Sequence, residues 1–140
     1  MKTLPDKPSE LIRIAIADLK KVESMNKYTV DMGAWHDDDK MDSTCHVCMA
    51  GSVIACTLDK TGKEHWPNLS PYDFDLDTES KLRAINYLRM GSVGRAFDAI
   101  GLNYDEGNKY MRDICQYHNG AEIFYEDMEQ LASDLEKDGY

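Results

Sequence analysis

The sequence predicts a mainly α, helix-rich domain, or an α+β variant with one short strand near residues 27–32. Three observations predict it. Apolar residues recur at three- and four-residue spacing over most of the chain, the pattern of helices that bury one face. Glycine, proline and capping residues punctuate the ends of these segments. Strand-like alternation is confined to one short stretch.

The first helix is predicted over 8–25. Pro8 suits the first helical position, where its missing N–H costs nothing. Leu11, Ile12, Ala15, Ile16, Leu19 and Val22 then form a stripe, with Arg13, Lys20 and Glu23 turned away. Tyr28, Val30 and Met32 alternate with Thr29 and Asp31 until Gly33, a short strand signal. The run Asp37–Asp42 reads as a polar loop, with Ser43 or Thr44 capping the next helix. That helix carries Val47, Ala50, Val53, Ile54 and Leu58, and Gly62 marks its stop.

Residues 63–77 read as a loop holding Pro67 and Pro71. Asp77 or Thr78 is the expected cap of a third helix bearing Leu82, Ile85, Leu88 and Met90. Gly91-Ser92 breaks it before Val93, Ala96, Phe97 and Ile100 carry it on to Gly101. A polar turn over 102–108 and a short helix over 108–118 follow, the latter ended by Asn119-Gly120. The last helix, over 121–136, places Phe124, Met128, Leu131 and Leu135 on one face. No internal repeat or linker divides the chain, so residues 1–140 read as one domain, a size that holds a core without metal or disulfides.

The net charge of −10 argues against direct contact with nucleic acid or an anionic membrane and favours a basic partner. No run of apolar residues is long enough to span a bilayer, and the N-terminus lacks the apolar core of a secretory signal. Plentiful methionine and four cysteines without other signs of secretion point to a reducing, cytoplasmic setting.

The sharpest chemical pattern pairs Cys45-x-x-Cys48 with Cys115-x-x-His118. Residues three apart on a helix point the same way, so the two pairs suit a tetrahedral Cys3His zinc site. The gap between the pairs is long for a self-contained zinc module, and the alternative is that the thiols pack as small apolar groups. A redox role for Cys45-His46-Val47-Cys48 at a helix start is a further reading, set against the missing β-α-β pattern. Trp35-His36-Asp37 invites an enzymatic reading with His36 and Asp37 as a base pair, although no nucleophile is marked nearby. The aspartate run fails the calcium-loop pattern, since position 41 is Met. Gly91-Ser92-Val93-Gly94-Arg95 matches neither phosphate-binding fingerprint and reads as a helix break.

Charge is uneven along the chain. Lys81 to Arg112 holds six basic and three acidic residues, whereas the final twenty residues hold seven acids and only Lys137. The last helix therefore presents a negative face, with Glu122, Glu126, Asp127 and Glu129 as the candidate contacts for a basic protein surface.

Lys7-Pro8-Ser9-Glu10-Leu11-Ile12-Arg13-Ile14-Ala15, Met32-Gly33-Ala34-Trp35-His36 and Cys48-Met49-Ala50-Gly51-Ser52-Val53-Ile54-Ala55 resemble small bacteriophage and prophage proteins without an assigned activity. The resemblance covers about the first 58 residues. The helix with Cys48-Met49-Ala50-Gly51 is also similar to a bacterial family of unknown function bearing a Cys-Ala-x-Gly helix. What the resemblance implies is a phage origin and an accessory protein that binds and redirects another protein in a bacterial host cell. It assigns no residue a role. The expectation is thus a non-enzymatic binding protein, with a zinc protein and an enzyme as alternatives and the oligomeric state open.

Overall fold

A computed structural model describes residues 3–39, 43–58 and 68–140. The chain folds as a helix-rich α+β structure. Six α-helices and a three-stranded sheet occur among the described residues. Helix α1 (Pro8–Glu23) opens with Pro8 in its first turn. Glu10 in that turn and Lys20 and Lys21 in the last complement the helix dipole. Its apolar stripe is buried, and the helix packs against α2, α3, α6 and β1, which makes it the axis of the core.

The sheet contains β1 (Tyr28–Val30), β2 (His36–Asp39) and β3 (Thr44–Val47) in the order β1-β3-β2. Strand β3 runs parallel to β1, with Thr29 level with His46, and antiparallel to β2, with Asp37 opposite His46. The predicted polar loop at 37–39 is thus part of a strand, while Lys40–Asp42 lie outside the described residues. Strand β2 forms one edge of the sheet with His36 buried and Asp37 exposed, so it lacks the hydrophobic run that marks a buried strand. Ser43 and Thr44 cap no helix, because Thr44–Val47 is the central strand.

Helix α2 (Met49–Ala55) starts later than expected, with Cys48 as its N-cap: the Gly51 N–H donates to Cys48 Sγ at 3.3 Å. Gly51 is required there. A Cβ at that position would lie 1.6 Å from the Trp35 carbonyl oxygen, so only glycine lets α2 approach the backbone before β2. The expected stop at Gly62 lies outside the described residues, as do residues 63–67 of the predicted loop.

A single 3-10 turn (Pro71–Asp73) leads into α3 (Leu76–Arg89), capped by Asp75 rather than Asp77 or Thr78. Gly91 then breaks the chain as expected. It adopts φ +78°, and a Cβ there would meet the Arg112 carbonyl oxygen at 1.8 Å. Helix α4 (Val93–Ala99) follows, then α5 (Tyr104–Asn108), capped by the Asn103 side chain.

The helix expected over 108–118 is absent, and residues 111–118 run without regular structure to α6 (Glu122–Lys137). Of the apolar stripes expected on the helices, Leu11, Ile12, Ile16, Leu19, Val53, Ile54, Leu82, Ile85, Phe97, Phe124, Met128, Leu131 and Leu135 all lie in the core. Among the described residues no helix is long and apolar enough to cross a membrane.

Candidate protein-binding surface

Helix α6 sorts its acidic residues into two sets. Phe124, Met128, Leu131 and Leu135 face the core. Asp127 and Asp134, with Asp138 one step past the helix, form a column along one flank, seven and then four residues apart. Each carboxylate in it holds the segment that precedes α6. The Cys115 N–H donates to Asp127 at 3.0 Å, Arg112 pairs with Asp134 at 2.9 Å, and the Tyr110 hydroxyl donates to Asp138. Residues 110–115 therefore form a strap running antiparallel to α6. Its backbone bonds leave the segment as well: the Arg112 N–H donates to the Gly91 carbonyl and the Cys115 N–H to Asp127. Glu136, farther round, pairs with Arg13 of α1 at 3.1 Å.

Glu122, Glu126 and Glu129 make the second set. Their spacing of four and three residues puts them on one ridge, opposite the core face. All three are exposed, and no salt bridge reaches them among the described residues. They border a hollow of about 340 Å³ with Lys20, Gly120 and Tyr125. Lys20 stands over the Tyr125 ring, 4.8 Å from its centroid. Below it the Tyr125 and Tyr117 hydroxyls both donate to Glu23, and the Gly120 N–H donates to Tyr117, fixing where α6 begins relative to α1. Burial, followed by the Glu23 carboxylate, pushes both phenols well above their ordinary range. Of the four acidic residues expected to face a partner, three share the ridge and Asp127 belongs to the strap.

The cysteine and histidine pairs are placed differently. Cys45 lies in β3 and Cys48 at the start of α2, both buried, whereas Cys115 and His118 are exposed on the segment before α6. Among the described residues no three His, Cys, Asp or Glu side chains are grouped as a metal site. Burial pushes the Cys45 thiol up to about 12, with Asp38 and Asp37 adding to the effect. Cys48 is also raised by burial, against the opposing Gly51 N–H. Both are the reverse of what a reactive thiolate needs.

His36 is fully buried on the core face of the sheet, with Cys45 Sγ 3.5 Å from its Nδ1. Asp37, the next residue along the strand, is exposed and points to the opposite face, so the two do not form a pair. Trp35 packs against the core and meets α2 through its backbone.

The sequence reading missed a different pair. His46 Nδ1 lies 3.1 Å from Asp31 Oδ2 on the outer face of the sheet. The Gly33 N–H first, and His46 second, hold the Asp31 carboxyl below its ordinary range. Beside this pair, hollows of about 340 and 470 Å³ adjoin along β1, their far wall made by Tyr117 and Asn119. The signal was legible only as His46 within strand periodicity; placed on a helix start, it had no visible partner.

No family model matches the chain, and neither a curated protein nor a solved structure is similar to it.

Proposed function

We propose that this chain is a non-enzymatic accessory protein of phage type that binds a basic surface of another protein through Glu122, Glu126 and Glu129. One observation carries the reading. The other acidic residues of the last turns and flank of α6 are engaged within the chain, whereas these three stand together, exposed and, among the described residues, without a cation of their own beyond nearby Lys20. Three like charges held on one helix face repel each other, so an arriving cationic surface relieves them and gains attraction at once. Such a ridge acts first on encounter and orientation, and less on how long the complex lasts.

The test is to capture partners from bacterial lysate with the wild-type chain and with Glu122→Gln, Glu126→Gln, Glu129→Gln combined. The association rate of any captured partner is then measured at low and high salt. Exposed Glu→Gln changes leave folding stability within about 0.5 kcal/mol, so the variant reports binding. The expected result is an on-rate reduced about tenfold at low salt, with the difference vanishing as salt screens the charges. Equal on-rates for the two chains at low salt would remove this ridge from the function.

A further inference from the structure

We propose that the outer edge of β1 is a docking slot for an extended, basic segment of a partner protein, which adds to the sheet as a fourth strand. The inference is independent of the α6 ridge and rests on the backbone of β1. In the parallel β1–β3 ladder the Cys45 N–H donates to the Lys27 carbonyl and the Asp31 N–H donates to the Val47 carbonyl. With Thr29 level with His46, residues 27, 29 and 31 therefore direct their backbone groups to β3. Val30 directs both its N–H and its C=O the other way. Among the described residues neither group has a partner, and both open on the two adjoining hollows along β1.

Such an edge is a template for another strand, and among the described residues no strand pairs with it. The opposite wall is the irregular segment at Tyr117–Asn119, which lines both hollows. The chemistry of the walls selects the occupant. Asp31 and Glu23 contribute carboxylates, and among the described residues no lysine or arginine lines either hollow. A segment with lysine or arginine at alternate positions pairs its backbone with Val30 and places a cation against Asp31. A second copy of this chain is disfavoured, because two molecules of net charge −10 would have to meet at slots that both carry Asp31 and Glu23 carboxylates.

The probe is a fluorescently labelled octapeptide of alternating lysine and threonine, titrated into the full chain and followed by anisotropy and by amide exchange. The expected result is saturable binding, slower exchange of the Val30 amide, and at least about tenfold weaker binding to Val30→Pro, which removes the outward N–H at an edge position that tolerates proline. Asp31→Asn should weaken binding several-fold, and Glu122→Gln, Glu126→Gln, Glu129→Gln combined should leave it within about twofold. Because Val30→Pro alters the protein, the same octapeptide with alternate backbone nitrogens methylated provides an independent check and should not bind. Absence of binding, equal binding of the methylated peptide, or unchanged exchange at Val30 overturns the proposal. A concentration-dependent dimer abolished by Val30→Pro would do so too, by giving the slot to a second copy.

Discussion

Cys45 and Cys48 are three residues apart, the spacing shared by metal sites and redox pairs, and the fold places them on two different elements. One is a strand residue facing the core; the other caps α2 with its sulfur. Spacing alone did not reveal this, because a three-residue step puts two side chains on one helix face only where both lie in the helix, and the boundary between β3 and α2 falls between them. The same boundary hid the pairing of His46 with Asp31. The consequence is a graded thiol chemistry. Cys115 is exposed, Cys56 is partly exposed, and Cys45 and Cys48 are buried with raised thiols. With a chromogenic disulfide reagent at pH 8, Cys115 should react first and Cys56 more slowly. Cys45 and Cys48 should react only once denaturant unfolds the chain. Rapid reaction of all four thiols in the native protein would refute the packing around α2.

At the scale of elements, α6 was legible in phase and nearly in length, since its apolar spacing is regular and its core face is buried as expected. The strap before it was not. Residues 108–118 contain enough apolar side chains to suggest a helix, but what fixes their course is non-local: Asp127 takes the Cys115 N–H, Asp134 takes the Arg112 side chain, and Asp138, just past α6, takes the Tyr110 hydroxyl. The same acidic content thus has two physical uses, of which the sequence displays only the sum. Asp134 tests the separation. The Arg112 guanidinium, and after it the Gln130 amide, hold its carboxyl below the ordinary value of 3.8. A carboxyl depressed in the folded state contributes stability above its unfolded pKa and loses it as pH falls through the folded value. Asp134→Asn should therefore cost about 0.5–1 kcal/mol at pH 7, the upper range for a partly exposed pair. The gap to wild type should narrow as the pH falls below 3.8 and through the lower folded value, which denaturant melts at neutral and at acid pH will show. A Glu129→Gln control, on the ridge, should cost nothing measurable at either pH.

The whole molecule is organised around α1. Its buried face meets α2 on one side and α6 on another, with α3 and β1 completing the enclosure. The helical core was readable because a three- and four-residue period survives whatever tertiary partner is present. The small sheet was harder to see because its strands are three or four residues long and one is nearly all acidic. Leu19 lies fully buried on α1, and the core cluster joins residues from every helix except α5, together with β1 and β3. A cavity at Leu19 should therefore loosen the helical and sheet regions together. Leu19→Ala removes most of a filled side chain and should destabilise the chain by roughly 2–5 kcal/mol. For a chain of this size that lowers the melting temperature on the order of 10 °C. Helical ellipticity and the fluorescence of Trp35, which lies beside the sheet, report on different regions, with Trp66 replaced by Phe so that the signal is local. If residues 1–140 form one cooperative unit, both signals should shift by the same amount and stay superimposable. Two separated transitions, with only one moved by the substitution, would divide the chain into independent folding units and refute the single-core account.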